Sequence, residues 1–447
     1  MDPQQLTIMA HKFQSVLDAE TLNERGHQLA FAKRQRLITP FRFGLSVIAS
    51  MATQQVPSIA ALHRDFNALW DAESSYKAFY NQVAKASCAE FLRTSLCDIM
   101  SQLTMKVLGF EAGQAFSEFN RFVLQDGSAF ALHDALAHVF PGRFSAVKPA
   151  AVELHCTLDV LQDAPITIVL SPDTDSEHDY LPDPASLRGD VFLADRGYLD
   201  LAYLREIDRQ GGFFLVRGKA GLNPRVLNAV REDGQRIKSC QDRDLQAILA
   251  KFPKRQRAEL EVEWLIEHAP FRLRLIVSWN PETKSFAYLL TNLPHTRYSI
   301  NTICLGYKLR WQVELLFKEW KSYANLHAFD TEKEALAEAL IWASLSAAAI
   351  KRFLAHAAEH LLEVVISTRK AAMSPAYILP ELFRSLRPGD GPWYRRAFKA
   401  MIRYLGGNAK RAHPKRDART GRTQLGLKEC VPPFTHEAAQ LFEGLSL

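Results

Sequence analysis

FNRFVLQDGSAF, residues Phe119 to Phe130, marks where the chain changes character. Upstream, from about residue 5 to 112, apolar residues recur at three-and-four spacing with breakers near Pro40, Pro57 and Gly109, a helical pattern. Here the apolar run Phe122 to Leu124 leads into Asp126-Gly127-Ser128, and four more short β-rich runs come after it. They are AAVELHCTLDVL from Ala150, APITIVLSPD from Ala164, DVFLADRGYLD from Asp190 and GGFFLVRGK from Gly211. Between the last two lies LAYLREIDRQ, a helix-like crossover. Three neighbouring strands followed by a strand-helix-strand unit is the economical reading.

That order is the one expected of a ribonuclease-H-like sheet. Residues 220 to 300 add further strand-like runs, ELEVEWLIE, FRLRLIVSWN and SFAYLLTNL, between charged, turn-rich segments. Long helical patterns return from Ser299 to about Leu362. After Pro388 the chain is basic and broken, WYRRAFKAMIRYLGGNAKRAHPKRDARTGR, either a DNA-binding arm or an ordinary solvated terminus. The expected class is α/β: a ribonuclease-H-like catalytic core with an inserted β subdomain, flanked by helical N-terminal and C-terminal regions. The boundaries read as 1–115 for a helical DNA-binding region, 116–220 for the first part of the core and 221–298 for the insert. Residues 299–385 are the helical second part of the core, and 386–447 the basic C-terminal region.

With 447 residues, two or three domains are expected, and 47% hydrophobic content with 21 Gly and 21 Pro describes a folded chain rather than a disordered one. The net charge of +6 is compatible with a polyanionic partner without requiring one. Six cysteines, Cys88, Cys97, Cys156, Cys240, Cys304 and Cys430, form no Cys-x-x-Cys pair; they read as buried thiols of a reducing cytoplasm. The start, MDPQQLTIMAHKF, lacks the pattern of a signal peptide, and the apolar stretch Ala339 to Ile350 is too short to span a bilayer. A cytoplasmic protein with no membrane partner is expected.

Ser58 to Ala84 offers a Ser N-cap, a helix, a break around Asp71 to Ser74 and a second helix, the outline of a helix-turn-helix or of a plain helical hairpin. Its candidate DNA contacts are Lys33, Arg34, Arg36, His63, Arg64 and Lys77, each equally readable as a solvated residue.

Asp126 sits within or at the end of a strand, where Gly127 lets the backbone pass close to a ligand. Asp195 repeats the arrangement: the run Val191 to Ala194 ends in Asp195, followed by Arg196-Gly197-Tyr198. In SINTICLGYKLRWQVELLFKEWKSYANL, from Ser299, a period of about 100° per residue places Tyr307, Arg310, Glu314, Lys318 and Lys321 in a stripe roughly 80° wide. Leu305, Leu309, Val313, Leu316 and Trp320 gather opposite. One carboxylate among a tyrosine and three cations is not an ordinary solvent face. Three carboxylates holding two Mg²⁺ ions, with Arg and Lys on the phosphate oxygens, are what phosphodiester chemistry needs.

The spacing Tyr307-x2-Arg310-x3-Glu314-x6-Lys321 resembles the Tyr-Arg-Glu-Lys signature of the insertion sequence 4 family of bacterial DDE transposases. Asp126-Gly127-Ser128 and Asp195-Arg196-Gly197 resemble the settings of its two aspartates. The resemblance covers about residues 118 to 345. It implies cut-and-paste transposition of an insertion sequence, with Asp126, Asp195 and Glu314 as catalytic metal ligands for Mg²⁺, Mn²⁺ substituting. Strand transfer would pass through a DNA hairpin. It also implies binding of transposon-end and target DNA, a homodimer in the DNA complex and a place on the nucleoid DNA of a bacterium. Tyr307, Arg310, Lys318 and Lys321 would bind DNA or its phosphates. Trp311 is the candidate for stacking on a flipped base, with Trp279 as a second and packing on a neighbouring helix as the alternative for Trp311.

Blander readings attach to three other features. The acidic loop Ser171 to Pro184 is expected to be solvated, Asp159 to be a paired surface acid rather than a fourth ligand, and His133 and Asp134 to be supporting residues. Two other functions use the same residues: a ribonuclease-H-like nuclease that does not join ends, and an inactive DNA-binding protein derived from a transposase, against which the presence of all three acids speaks.

Overall fold

The computed structural model describes the chain except residues 33–35, 53–55, 57, 111–112, 253, 255–256, 325, 327–328, 375–377, 413–426 and 430–447. Six helices come first: α1 (Pro3–Leu17), α2 (Ala19–Gln28), α3 (Pro40–Met51), α4 (Ile59–Trp70), α5 (Tyr76–Val83) and α6 (Ala86–Gln102). Five of them start where a short polar side chain accepts from a first-turn N–H, namely Asp2, Asp18, Thr39, Ser58 and Ser75. The break between α4 and α5 begins at Asp71, in the left-handed region at φ 51°. Within this pair His63 is half-buried and its Nε2 lies 2.7 Å from the Ser74 carbonyl, so it helps hold the turn. Arg36, Arg64 and Lys77 are exposed. Lys33 and Arg34 lie outside the described residues, as does most of the basic C-terminal tail.

A short strand β1 (Leu108–Phe110) precedes the main sheet, whose strands are β2 (Phe122–Ala131), β3 (Ala151–Asp159), β4 (Ala164–Pro172), β5 (Val191–Ala194) and, after helix α7 (Leu201–Arg209), β6 (Phe213–Arg217). Next come β7 (Arg225–Arg231), β8 (Arg243–Asp244), helix α8 (Leu245–Ile248), β9 (Ala258–Ile266), β10 (Ala269–Asn280) and β11 (Ser285–Thr291). Helices α9 (Ile300–Tyr307), α10 (Trp311–Tyr323), α11 (Glu334–Leu362), α12 (Thr368–Met373), α13 (Leu379–Arg384) and α14 (Gly391–Asn408) complete the order, with β12 (Leu427–Glu429) pairing back on β1.

The ten strands from β2 to β11 form one sheet in the order β4-β3-β2-β5-β6-β11-β10-β9-β7-β8. β2, β3 and β4 are an antiparallel meander, β5 and β6 run parallel to β2, and the crossover between β5 and β6 is α7. The strands of residues 221–298 join edge-on, β11 pairing antiparallel with β6, so they prolong the sheet.

Alternation along the central strands gives each face its own apolar layer. Phe122, Leu124, Val191 and Leu193 belong to a core shared with the N-terminal helices, α10 and α11. Val123, Phe192, Ala194 and Val216 belong to a second core with Leu204 and Ile207 of α7 and Leu260 and Leu275 of the insert. Each fully buried Leu, Ile or Phe contributes roughly 1.5–3 kcal/mol. α11 is enclosed on nearly every side, so its Ala339 to Ile350 stretch is apolar for packing. Among the described residues no helix is long and apolar enough to cross a membrane. Cys88, Cys156 and Cys240 are buried thiols as expected, whereas Cys97 is exposed.

Candidate functional site

Parallel register brings the first two carboxylates together. β2 and β5 pair Leu124 with Leu193 and Gln125 with Ala194, so the next residues on each, Asp126 and Asp195, are neighbours about 4.8 Å apart across the ladder. Both share the side-chain phase of Leu124 and Leu193, which is the face covered by α10. β5 stops at Ala194 while β2 runs on, which leaves the flank of β2 open at Asp126.

Gly127 is required at this point. A Cβ there would stand 2.4 Å from Oε1 of Glu153 and 3.2 Å from the Tyr198 hydroxyl. Its N–H donates to Oδ1 of Asp126 at 3.0 Å.

The helical segment brings in the third carboxylate and a cation. The Arg310 guanidinium donates to Oδ2 of Asp126 at 3.3 Å and to Oε1 of Glu314. The Tyr307 hydroxyl donates to Oδ1 of Asp195 and to the Ala194 carbonyl, each at 3.4 Å. Burial holds that phenol well above its usual pKa, so it remains a donor. Burial also pushes the Asp126 carboxyl up to about 6; Arg310 and the Gly127 N–H pull against the rise, and Glu314 and Asp195 add to it. Arg217, one residue beyond the Ala194–Val216 pair, places its guanidinium 3.9 Å from Asp195.

The helix is not continuous, and this corrects the stripe. α9 ends at Tyr307, Lys308–Arg310 form a single 3₁₀ turn, and α10 starts at Trp311. Three residues at about 120° instead of 100° rotate α10 by roughly 60° relative to α9. Tyr307, Arg310 and Glu314 meet the two aspartates. Lys321 reaches further along β2, its Nζ donating to the Ala129 carbonyl at 2.7 Å. Lys318 instead lines a cavity of about 360 Å³ with Asp163, Glu319 and Arg352, on the flank it shares with Leu315. Trp311 is 56% exposed, so it is not packed on a neighbouring helix. Trp279 packs edge-on against Phe286 under Lys254, within the insert.

Among the described residues no three His, Cys, Asp or Glu side chains stand as a preformed metal cage, and Arg310 bonds two of the three acids. The donors nevertheless suit a hard divalent cation: all are carboxylate oxygens, and the raised Asp126 carboxyl marks an excess of negative charge that such an ion would relieve.

Some expectations fail. Asp159 is not a surface acid. It is 2% exposed and its Oδ1 accepts from the Leu161 N–H at 2.9 Å, which closes the turn into β4. The acidic loop is not wholly solvated either. Its Glu177 and Asp173 face Glu153, whose carboxyl is pushed up to about 7 by burial and then by Glu177. His133 caps the short 3₁₀ turn that Asp134 begins. Sequence reasoning missed Arg217 and the buried group of Glu153 and Tyr198. Arg217 was available to the strand-end logic that found Asp195, since it closes the next run.

Residues 119–350 match the sequence profile of the family described as Transposase DDE domain. The transposase of insertion sequence element IS231C from Bacillus thuringiensis subsp. berliner is 22% identical over 383 residues, 77% of this chain and 78% of that protein. The transposase of IS1151 from Clostridium perfringens is 20% identical over 247 residues, 47% and 51% of the two. Among solved structures, a piggyBac transposase synaptic complex with hairpin DNA covers 87% of this chain and 84% of its own, at a TM-score of 0.45 and 10% identity.

Proposed function

The chain belongs to the Transposase DDE domain family, and from that premise we propose that it moves an insertion sequence by cutting and joining DNA ends at Asp126, Asp195 and Glu314. In this reading residues 116–220 and 299–385 are the two parts of a ribonuclease-H-like core, which the strand order β4-β3-β2-β5-β6 supports. Residues 221–298 are its inserted β subdomain, 1–115 the DNA-binding helical region and 386–447 a basic C-terminal region. The Tyr307, Arg310, Glu314 and Lys321 spacing places the chain with the insertion sequence 4 transposases. It works on transposon-end and target DNA in a bacterial cytoplasm, as a homodimer and through a hairpin.

The observation that carries the proposal is the convergence on one sheet face: Asp126 and Asp195 adjacent by register, with Arg310 joining Asp126 to Glu314. Mg²⁺ ions, or Mn²⁺ in their place, supply activation of the attacking oxygen and stabilisation of the leaving one when bound by these carboxylates. The chain's own groups do the rest. Tyr307 fixes the Asp195 carboxylate from one side and Arg217 draws it from the other. Arg310 and Lys321 neutralise phosphate oxygens along the path from Asp126 to Ala129. The exposed Trp311 ring offers an unpaired base a stacking surface, with Lys318 beyond it on the same flank of α10.

The test is cleavage and strand transfer on duplex DNA carrying the inverted repeats that flank the coding sequence, with Mg²⁺ or Mn²⁺. Asp126→Ala, Asp195→Ala and Glu314→Ala are each expected to abolish both reactions while leaving end binding in place. Cutting without joining would make the protein a nuclease. Binding without cutting by the unaltered chain would make it an inactive DNA-binding protein.

A further inference from the structure

β2 does not stop at the site. Beyond the last residue paired with β5 it continues to Ala131, roughly 20 Å further, and returns as β3 from Ala151. The loop joining them overhangs the edge of the sheet on which Asp126 and Asp195 lie. At its tip, Phe144 is 69% exposed and Val147 80% exposed, among the most exposed large apolar side chains of the described residues.

This loop is held rigidly. Gly142 N–H donates to the Pro149 carbonyl at 2.9 Å and Ala151 N–H to Phe140 at 3.0 Å, which ties its base. Val147 and Lys148 N–H groups both donate to the Phe144 carbonyl, at 2.9 and 2.8 Å, which winds its tip. A Cβ at Gly142 would stand 2.0 Å from the Lys148 carbonyl oxygen, so the loop closes only with glycine there. Arg143 anchors it from below: its N–H donates to Oδ2 of Asp173 at 3.0 Å and its Nε to the Asp173 carbonyl at 3.1 Å. An ordered turn that keeps two apolar side chains in water is unfavourable unless something covers them.

The surrounding charge says what kind of surface that is. Lys148 comes directly after Val147, and Lys321 stands beside it on α10: burial lowers the Lys321 ammonium's proton affinity and the neighbouring Lys148 charge lowers it further. Two apolar side chains between two cations match a polyanion with a stacked apolar interior, which is a DNA base step between its phosphates. An acidic protein groove would match the cations but would not explain the position over the carboxylates.

We propose that the Pro141–Pro149 loop is a DNA wedge: Phe144 and Val147 enter the base step beside the phosphate to be cut, and Lys148 and Lys321 hold the phosphates on either side. This rests on the transposase reading. Opening that step frees the strand to bend towards Asp126, so the loop would act on how DNA is presented rather than on the bond that is cut.

The experiment uses the full chain and the same inverted-repeat duplex, with 2-aminopurine at the step next to the cleavage point. The unaltered protein should raise 2-aminopurine fluorescence on binding. Phe144→Ala, and more so Phe144→Ala with Val147→Ala, should lose most of that rise and slow cleavage at least about tenfold, the size of one lost stacking contact. Phe144→Leu should keep it, and a mismatch placed at the step should restore cleavage by the alanine variants. If the alanine variants bind, brighten the probe and cut like the parent, the wedge is overturned while the transposase reading stands. If they weaken self-association and nothing else, the loop is a contact between copies and the wedge is equally overturned. Failure of the unaltered chain to bind any DNA would overturn both.

Discussion

Arg310 is the residue on which the site's charge balance turns. Its guanidinium spans Asp126 and Glu314, two of the three carboxylates assigned here to metal, and its side chain is only 13% exposed. A divalent cation and this guanidinium compete for the same oxygens, so a bound ion must displace Arg310 from at least one of them, and the freed fork then faces the DNA phosphate. Arg310→Ala is therefore expected to have opposite effects on two measurements. Without DNA, Mn²⁺ titration by calorimetry should show tighter binding, because the competitor is gone. With DNA, cleavage should fall by at least about a hundredfold, the scale of losing one preorganised charge partner in the transition state. Weaker Mn²⁺ binding together with intact cleavage would mean that Arg310 supports the carboxylates rather than competing for them. The residue identities were legible: Asp126 and Asp195 each end an apolar run, and Arg310 and Glu314 share a face at i and i+4. The register that makes the aspartates neighbours was not, because pairing between residues so far apart in sequence leaves no local trace.

β3 shows where reading by elements runs out. Its alternation of Val152, Leu154, Cys156 and Leu158 with Glu153, His155, Thr157 and Asp159 reads as a strand with one wet face, yet all nine of its residues are buried. The covering comes from the distant loop after β4: Tyr180 stacks on His155 with ring centres 4.0 Å apart, and Ser171 meets its Nε2 at 2.9 Å. The helical segment misled in a similar way, since Lys308-Leu309-Arg310 contains neither Gly nor Pro to announce its 3₁₀ turn. The buried polar row has a consequence for pH. Burial lowers the His155 imidazole to about 4, against the pull of Asp175, so its contribution to stability is present above about 6.5 and lost as pH falls towards 4. Glu153, raised to about 7, has the opposite sign: its contribution is present below about 4.5 and lost as pH rises through 7. Between pH 4.5 and 6.5 the two slopes oppose each other. Urea unfolding across that window should show a shallow profile for the unaltered protein. Glu153→Gln should steepen the loss on acidification and His155→Gln should abolish it, each by up to about 3 kcal/mol. Parallel profiles for all three proteins would rule out these two groups as the source.

At the scale of the whole molecule, the N-terminal helices, the sheet and the site helix are fastened to one another through α11. The apolar part of that fastening was legible in its Ala-rich, Leu-rich sequence, but its charged centre was not. Arg352, 8% exposed, donates through Nε to the Asp163 carbonyl at 2.7 Å, pairs with the Asp163 carboxylate at 2.7 Å and reaches Glu319 of α10 at 3.2 Å. One buried cation thus joins the turn between β3 and β4, the helix that carries Glu314, and α11, while His356 lies 3.4 Å from the same Asp163. Such a cluster adds little net stability compared with apolar packing, but removing one member leaves like charges buried together. Arg352→Met is therefore expected to cost roughly 3–5 kcal/mol in urea unfolding, a large share of the roughly 5–15 kcal/mol that holds an ordinary domain together. The triple variant Arg352→Met, Asp163→Asn, Glu319→Gln should recover most of that loss, because no carboxylate is then left stranded. The loss should also narrow as the pH is lowered and the two acids take up protons. If the single substitution is nearly neutral, or the triple is no better than the single, the junction is held by packing alone, and α10 is positioned by its apolar face of Val313, Leu316 and Trp320 rather than by Arg352.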